Sequence, residues 1–308
     1  VRTGAIIRAV SHVVTRPQPP FSACGGALEV HQVPVWQDNL SWIAVCTATG
    51  EAAVVDGPEA VPVLEYAKAH DLNLHTIFNT HTHGDHVGIN AKLAKAGMLD
   101  QWRVVGAAST REAVPGISEE VAEGSPVRLG EVEGYVMETP GHIDGHISFV
   151  FGDVVFCGDT LFGAGCGYLF DGPPKTMYES LTRLAALDGG TRVCCAHEYT
   201  QDNLRFAWSV EPENAALAQR IRDAWAIRAE GGCTIPSTIE LERATNPFLR
   251  TDSADLRRHV AAAMPDRSLD TPADVFAATR ALKDRKDYRA MEDSELPLSG
   301  KTEATGGS

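Results

Sequence analysis

Hydrophobic and polar positions change period several times along the chain, and each change predicts an element. Residues 29–35, 41–47 and 52–55 alternate or run apolar, as short buried strands do, with Thr49-Gly50-Glu51 as a hairpin turn. Pro58 and Glu59 open a helix reaching His70, with Val61, Leu64 and Ala67 spaced for a buried face. Residues 74–79 predict the next strand, 87–95 a helix and 103–106 another strand. The acidic stretch 118–130 has no steady period and is expected on the surface. Strands at 133–139, 147–151 and 154–157 follow, then a helix over 175–187 and a strand at 192–195. Beyond His197 the strand period stops. Residues 203–210, 213–229, 239–244, 254–263 and 272–287 all read as helices.

Two clusters of strands with interspersed helices predict an α/β fold, two sheets packed face to face and covered by helices, then a smaller all-α domain. The expected divisions are an N-terminal extension over 1–28, a catalytic domain over 29–198, a helical domain over 199–293 and a disordered tail over 294–308. The extension carries Arg2, Arg8 and Arg16 without an acidic residue, and Arg16-Pro17-Gln18-Pro19-Pro20 reads as a linker. Its composition also loosely fits an organelle import signal, which would make a mitochondrial address the alternative to a cytoplasmic one. Arg8 and His12 interrupt any secretory signal.

Charge narrows the partners. With 27 basic and 41 acidic residues the net charge is −14, which argues against nucleic acid and anionic membranes as general partners. No apolar run approaches the roughly 20 residues of a membrane helix. Seven cysteines, two of them adjacent at 194 and 195, make a poor disulfide framework and read as buried thiols in a reducing compartment. A monomer is expected.

The chemistry is concentrated at Thr80-His81-Thr82-His83-Gly84-Asp85-His86, between the strand at 74–79 and the helix at 87–95. Neutral imidazole and carboxylate are the ligands a borderline divalent metal prefers. In an extended loop His81 and His83 project the same way, while Asp85 and His86 sit where the chain turns into the helix. Three more strands end on a residue of ligand type: Thr139-Pro140-Gly141-His142, Phe156-Cys157-Gly158-Asp159 and Val193-Cys194-Cys195-Ala196-His197. Seven candidate ligands, four of them in one loop, are enough for two ions.

These motifs resemble the metallo-β-lactamase superfamily. Its signatures here are the His81–His86 loop, TPGHIDGH (139–146) and GDTLFGAGCG (158–167). AHEYTQDNLRFA (196–207), VEPEN (210–214) and TNPFLR (245–250) are similar to hydroxyacylglutathione hydrolases, the glyoxalase II family. The resemblance implies an αββα sandwich followed by a helical domain, with a binuclear centre. It assigns His81, His83 and His142 to one metal and Asp85, His86 and His197 to the other, with Asp159 bridging. Zinc is the expected metal, with iron or manganese as alternatives. The implied reaction is hydrolysis of S-D-lactoylglutathione to D-lactate and glutathione, as in methylglyoxal detoxification. A metal-activated hydroxide attacks the thioester carbon, and the metals stabilise the developing oxyanion. Asp85 also reads as a general base, a role that ranks below ligation. Glutathione's carboxylates are expected on the R-x-x-K-D match Arg280-Ala281-Leu282-Lys283-Asp284, and its cysteinyl-glycine part on Tyr199. Lys283-Asp284-Arg285-Lys286-Asp287 is a shifted match. Tyr168 stands after Gly-Cys-Gly, where the family usually carries Arg or Lys, so a contact of the same substrate becomes a neutral phenol. Alternatives on this fold are a persulfide dioxygenase-like iron enzyme, a lactamase or lactonase, a hydrolase for another thiol's thioester, and a scaffold without catalysis.

Overall fold

The computed structural model describes residues 11–299. Seven strands form the first sheet in chain order: β1 (Phe21–Ala23), β2 (Leu28–Val35), β3 (Asn39–Cys46), β4 (Glu51–Val55), β5 (Asn73–Phe78), β6 (Arg103–Ala107) and β7 (Glu119–Val121). The first four pair antiparallel and the last four parallel. The second sheet begins with the antiparallel run β8 (Pro126–Leu129), β9 (Val132–Glu138), β10 (Ile147–Phe151) and β11 (Val154–Gly158). A small hairpin, β12 (Leu161–Phe162) with β13 (Gly165–Cys166), stands apart from it. The parallel strand β14 (Arg192–Cys195) and the antiparallel β15 (Ser237–Thr238) complete the second sheet.

Alternation decides which face each side chain joins. Trp42, Ala44 and Cys46 of β3 enter the core between the sheets, with Phe149 and Phe151 of β10 opposite. Ile43 and Val45, one residue out of step, pack outward with Val63 of α1 (Ala60–Ala69) and Leu93 of α2 (Gly88–Lys95). Met177, Leu181 and Leu184 place α3 (Pro174–Ala185) on the second sheet, completing αββα. Five helices follow: α4 (Thr200–Val210), α5 (Ala215–Ala229), α6 (Ile239–Thr245), α7 (Ala254–Ala263) and α8 (Pro272–Asp284). Side chains cap several of them. Asn214 accepts from Leu217, Ser253 from Leu256, and Thr271 forms a capping box with Asp274. Phe206, Phe248 and Phe276 continue the sandwich core into this layer, so the helices and sheets share one apolar interior.

The sequence-based reading needs five corrections. Residues 1–10 lie outside the described residues, but the chain from 11 onward is not a free extension. β1 pairs with β2, and Gln18 donates from its main chain to Gln32 Oε1 at 2.9 Å and from its amide to the Cys233 carbonyl at 2.5 Å. The acidic stretch near 118–130 supplies two edge strands, β7 and β8. Strand structure does not end at His197, because β15 from the helical region joins β14 and stitches the two parts together. The tail is ordered through its described part: Leu296 is buried against Leu204, Leu217 and Ile221, while residues 300–308 lie outside the described residues. The last helix also stops at Asp284, three residues early.

Candidate metal centre

Strand direction gathers the site. β2 and β4 run alike, β5 parallels β4, and β9, β11 and β14 run alike in the second sheet. Their C-terminal ends meet along one edge of the sandwich. There the Leu40 N–H donates to the Ala196 carbonyl at 2.7 Å, and the Ile147 N–H to the Thr80 carbonyl at 2.8 Å, joining the sheets. A residue just past a strand end is therefore held by two sheets at once.

All seven expected residues converge there. His83 Nδ1 lies 3.1 Å from His81 Nε2 and 3.0 Å from His142 Nε2. Beside this group, His197 Nε2 lies 3.4 Å from Asp85 Oδ2, and His86 Nε2 3.6 Å from the same oxygen. Each triad brings its donor atoms within 4.8 Å of one another. Asp159 sits between them: Oδ1 is 3.5 Å from His86 Nε2 and 3.4 Å from His197 Nε2, and Oδ2 is 3.5 Å from His142 Nε2.

The surrounding hydrogen bonds settle which nitrogens face inward. His86 Nδ1 donates to Asp56 Oδ2 at 3.0 Å, and His197 Nδ1 to Asp38 Oδ1 at 3.0 Å. His142 Nδ1 donates to the Tyr168 carbonyl at 2.7 Å. Thr80 Oγ1 gives its proton to Asp56 Oδ2 at 2.6 Å and so accepts from His81 Nδ1 at 3.1 Å. Four imidazoles thus keep their proton on Nδ1 and turn an Nε2 lone pair into the site, the arrangement a metal-binding histidine needs. His86 Nε2 and Asp159 Oδ1 are buried with no hydrogen-bond partner, which is costly unless an ion satisfies them. The donor set fits two divalent ions.

Charge is arranged to match. Burial pushes His81 well down, helped by the neighbouring His86 and His146, and burial lowers His142. Both shifts favour the neutral form that metal ligation needs. Burial opposes the charge on Asp159, but His197 and His86 outweigh it and hold the carboxyl well below its usual range. Burial likewise works against a charged His86, yet Asp159 and Asp56 raise it to about 10, so an ion binding there would displace the Nε2 proton facing Asp159 while Asp56 keeps the one on Nδ1.

Several positioning residues escaped the sequence reading. Asp56 follows β4 as Asp159 follows β11, so the strand-end pattern would have found it. With His81 and His86 it makes a third group of ligand-type atoms, but both its oxygens are committed to Thr80 and His86. Asn39 donates to Asp85 Oδ2 at 3.0 Å. His146 is fully buried, lies against His81 with ring centroids 4.8 Å apart, and accepts the Asp159 N–H on Nε2 at 3.1 Å. Gly158 has φ +47, and a Cβ there would lie 2.3 Å from Thr80 Oγ1.

A cavity of about 390 Å³ adjoins the centre, lined by Tyr168, Tyr199, Arg280 and Lys283 among others. Tyr199 stacks flat on His197, 4.9 Å between centroids, and burial raises its phenol to about 12, so it stays a donor. Arg280 and Lys283 are buried in the cavity wall. Arg280 already donates from Nε to Asp284 Oδ1 at 3.0 Å, and Lys283 is bonded to Asn203. Tyr168 is exposed, and only its main chain touches a ligand histidine.

Comparison with known proteins follows the same division. Residues 39–197 match the metallo-beta-lactamase superfamily, and residues 198–286 match the hydroxyacylglutathione hydrolase C-terminus. A hydroxyacylglutathione hydrolase of Methylococcus capsulatus is 44% identical over 260 residues, covering 83% of this chain and 98% of that protein. The chain belongs to the hydroxyacylglutathione hydrolase family. A Rhodospirillum rubrum member is 42% identical, again over 83% of this chain and 98% of its own length. Among solved structures, ETHE1 from Myxococcus xanthus is 26% identical with a TM-score of 0.54, over 82% of this chain and 97% of that one. The B3 metallo-beta-lactamase BLEG-1 shares the fold at 20% identity and a TM-score of 0.53, over 72% and 99%. Family membership rests on these identities over most of both chains, and the helical region matches the family's C-terminal model.

Proposed function

We propose that the chain hydrolyses 2-hydroxyacyl-glutathione thioesters, S-D-lactoylglutathione first among them, to the hydroxy acid and glutathione. The observation that carries this is the pairing of two ligand triads around Asp159 with a cavity walled by Arg280 and Lys283. His81, His83 and His142 would hold one divalent ion, Asp85, His86 and His197 the other, and Asp159 would face both. Zinc is the first choice, and iron or manganese suits the same donors. Two such ions, when bound, supply a hydroxide nucleophile near neutral pH and stabilise charge on a thioester oxygen.

The remaining work falls to the chain itself. Asp56, Asp38 and Thr80 fix the tautomers that keep Nε2 free to ligate. Lys283 and Arg280 take carboxylate from the far end of the substrate, which orients the thioester toward the centre. Tyr199, protonated and stacked on His197, offers a hydrogen bond to the peptide of the leaving thiol. A glutathione thiolate leaves readily, so no buried acid is required. Asp85 acts as a ligand and not as a base, because its oxygen already faces His197 and accepts from Asn39. The test is a steady-state assay of S-D-lactoylglutathione hydrolysis with metal analysis of the same sample. Hydrolysis with about two ions per chain supports the reading. A single tightly held iron without thioester hydrolysis favours the dioxygenase-like alternative.

A further inference from the structure

We propose that Lys286 binds a carboxylate of the glutathione moiety at the rim of the cavity. This deepens the function proposed above and rests on it. Glutathione presents two carboxylates, and the cavity wall carries four cations: Arg280, Lys283, Lys286 and Arg289. Their partners distinguish them. Arg280 is paired with Asp284 at 2.5 Å, and Arg289 with Asp202 at 3.2 Å. Lys283 is buried and bonded to Asn203. Among the described residues Lys286 makes no ion pair and no side-chain hydrogen bond, although it is exposed and lines the same space. Lys286 is thus the cation of this lining with no side-chain partner among the described residues, one helix turn from Lys283, whose contact is a neutral amide. Tyr168, which lines the same cavity, offers a phenol and no charge.

The backbone supplies a second, independent observation. Lys286 has φ 63 and ψ 15, just past the end of α8, in the left-handed region where helices usually place Gly or Asn. A lysine there gives up backbone stability, and such outliers gather where a side chain is needed in one place. The main chain closes the turn with the Lys286 N–H on the Lys283 carbonyl at 3.0 Å, so the two lysines are placed by a single helix end.

The test uses the full chain and S-methylglutathione, which binds but cannot be hydrolysed. Titration calorimetry at low salt should show Lys286→Ala binding about threefold to fivefold more weakly, the range of an exposed charge pair. Lys286→Arg should bind like wild type. Lys286→Gly should lose the same affinity while melting at a higher temperature, which separates ligand contact from folding. Tyr168→Arg in the Lys286→Ala background should restore affinity by returning a cation to the cavity lining. The difference between wild type and Lys286→Ala should fade in high salt. Equal affinities at low salt, or a loss that persists unchanged in high salt, would overturn the inference. Turnover of S-D-lactoylglutathione, measured on the same proteins, reports separately on the hydrolase reading.

Discussion

Replacing Asp56 with Asn changes one atom and should cost the second ion. Asp56 is 3% exposed and accepts three hydrogen bonds: the Thr80 N–H at 2.8 Å, Thr80 Oγ1 at 2.6 Å and His86 Nδ1 at 3.0 Å. An amide offers one acceptor oxygen. If that oxygen meets the Thr80 N–H, the amide NH₂ faces His86 Nδ1, and the imidazole must carry its proton on Nε2. That is the nitrogen aimed at Asp159. If the amide turns over, NH₂ faces the Thr80 N–H, and a buried donor is orphaned at about 1–3 kcal/mol. Both arrangements weaken the His86 side of the centre, by about 10- to 100-fold in metal affinity. Competition with a chromogenic chelator reads this directly. The variant should surrender metal at a correspondingly lower chelator concentration, first from the side of His86, which Asp56 bonds directly, and then from the side of His81, which Asp56 reaches through Thr80. Release of both ions at the wild-type concentration would refute the tautomer argument.

Other perturbations separate binding, protonation and scaffold. Arg280→Ala with Lys283→Ala should raise KM about tenfold to a hundredfold with kcat little changed, because the contacts proposed for both groups are with the remote carboxylates; a kcat loss of that size would contradict it. Burial, with the adjacent Arg280 charge, lowers the Lys283 ammonium to about 7, so its charge is present below that pH and lost above it. KM should therefore climb as pH rises past about 7, and Lys283→Met should show a raised but pH-independent KM. The same group should stabilise the fold progressively between about 7 and its ordinary value of 10.5, where the unfolded chain still holds the proton; a flat melting temperature would count against this. Gly158→Ala must fit a Cβ 2.3 Å from Thr80 Oγ1 at φ +47, and should cost about 2 kcal/mol or more of stability together with metal, by denaturant titration and metal analysis.

The candidate ligands were legible because His142, Asp159 and His197 each follow the end of a strand and the other four crowd the one loop after β5, and the edge of a sheet turns that sequence pattern into a place. Asp56 obeys the same rule and was missed because one acidic residue after Val55 competes with many others. Asp38 and Asn39 carry no such signal, since Asp38 sits in the turn between β2 and β3 and Asn39 opens β3, where polar residues are ordinary. The strands that escaped notice are at sheet edges. β7 reads Glu119-Glu120-Val121 and β8 exposes Arg128, and an edge strand with one solvated face leaves little apolar pattern. β1 is hidden behind the proline-rich segment before it. β15 has two residues, too few for any period, and is a strand because β14 needs a neighbour. Arg280 and Lys283 were visible only through the family resemblance, because a charge run at a helix end ordinarily faces water. The structure buries both.

The most direct measurement is hydrolysis of S-D-lactoylglutathione by one preparation, stripped of metal and then titrated with zinc. The account predicts that D-lactate and free thiol appear together, that the rate rises until about two ions are bound per chain, and that Asp159→Ala abolishes both the second equivalent and the turnover. Full thioester hydrolysis with a single ion, or in Asp159→Ala, would contradict it.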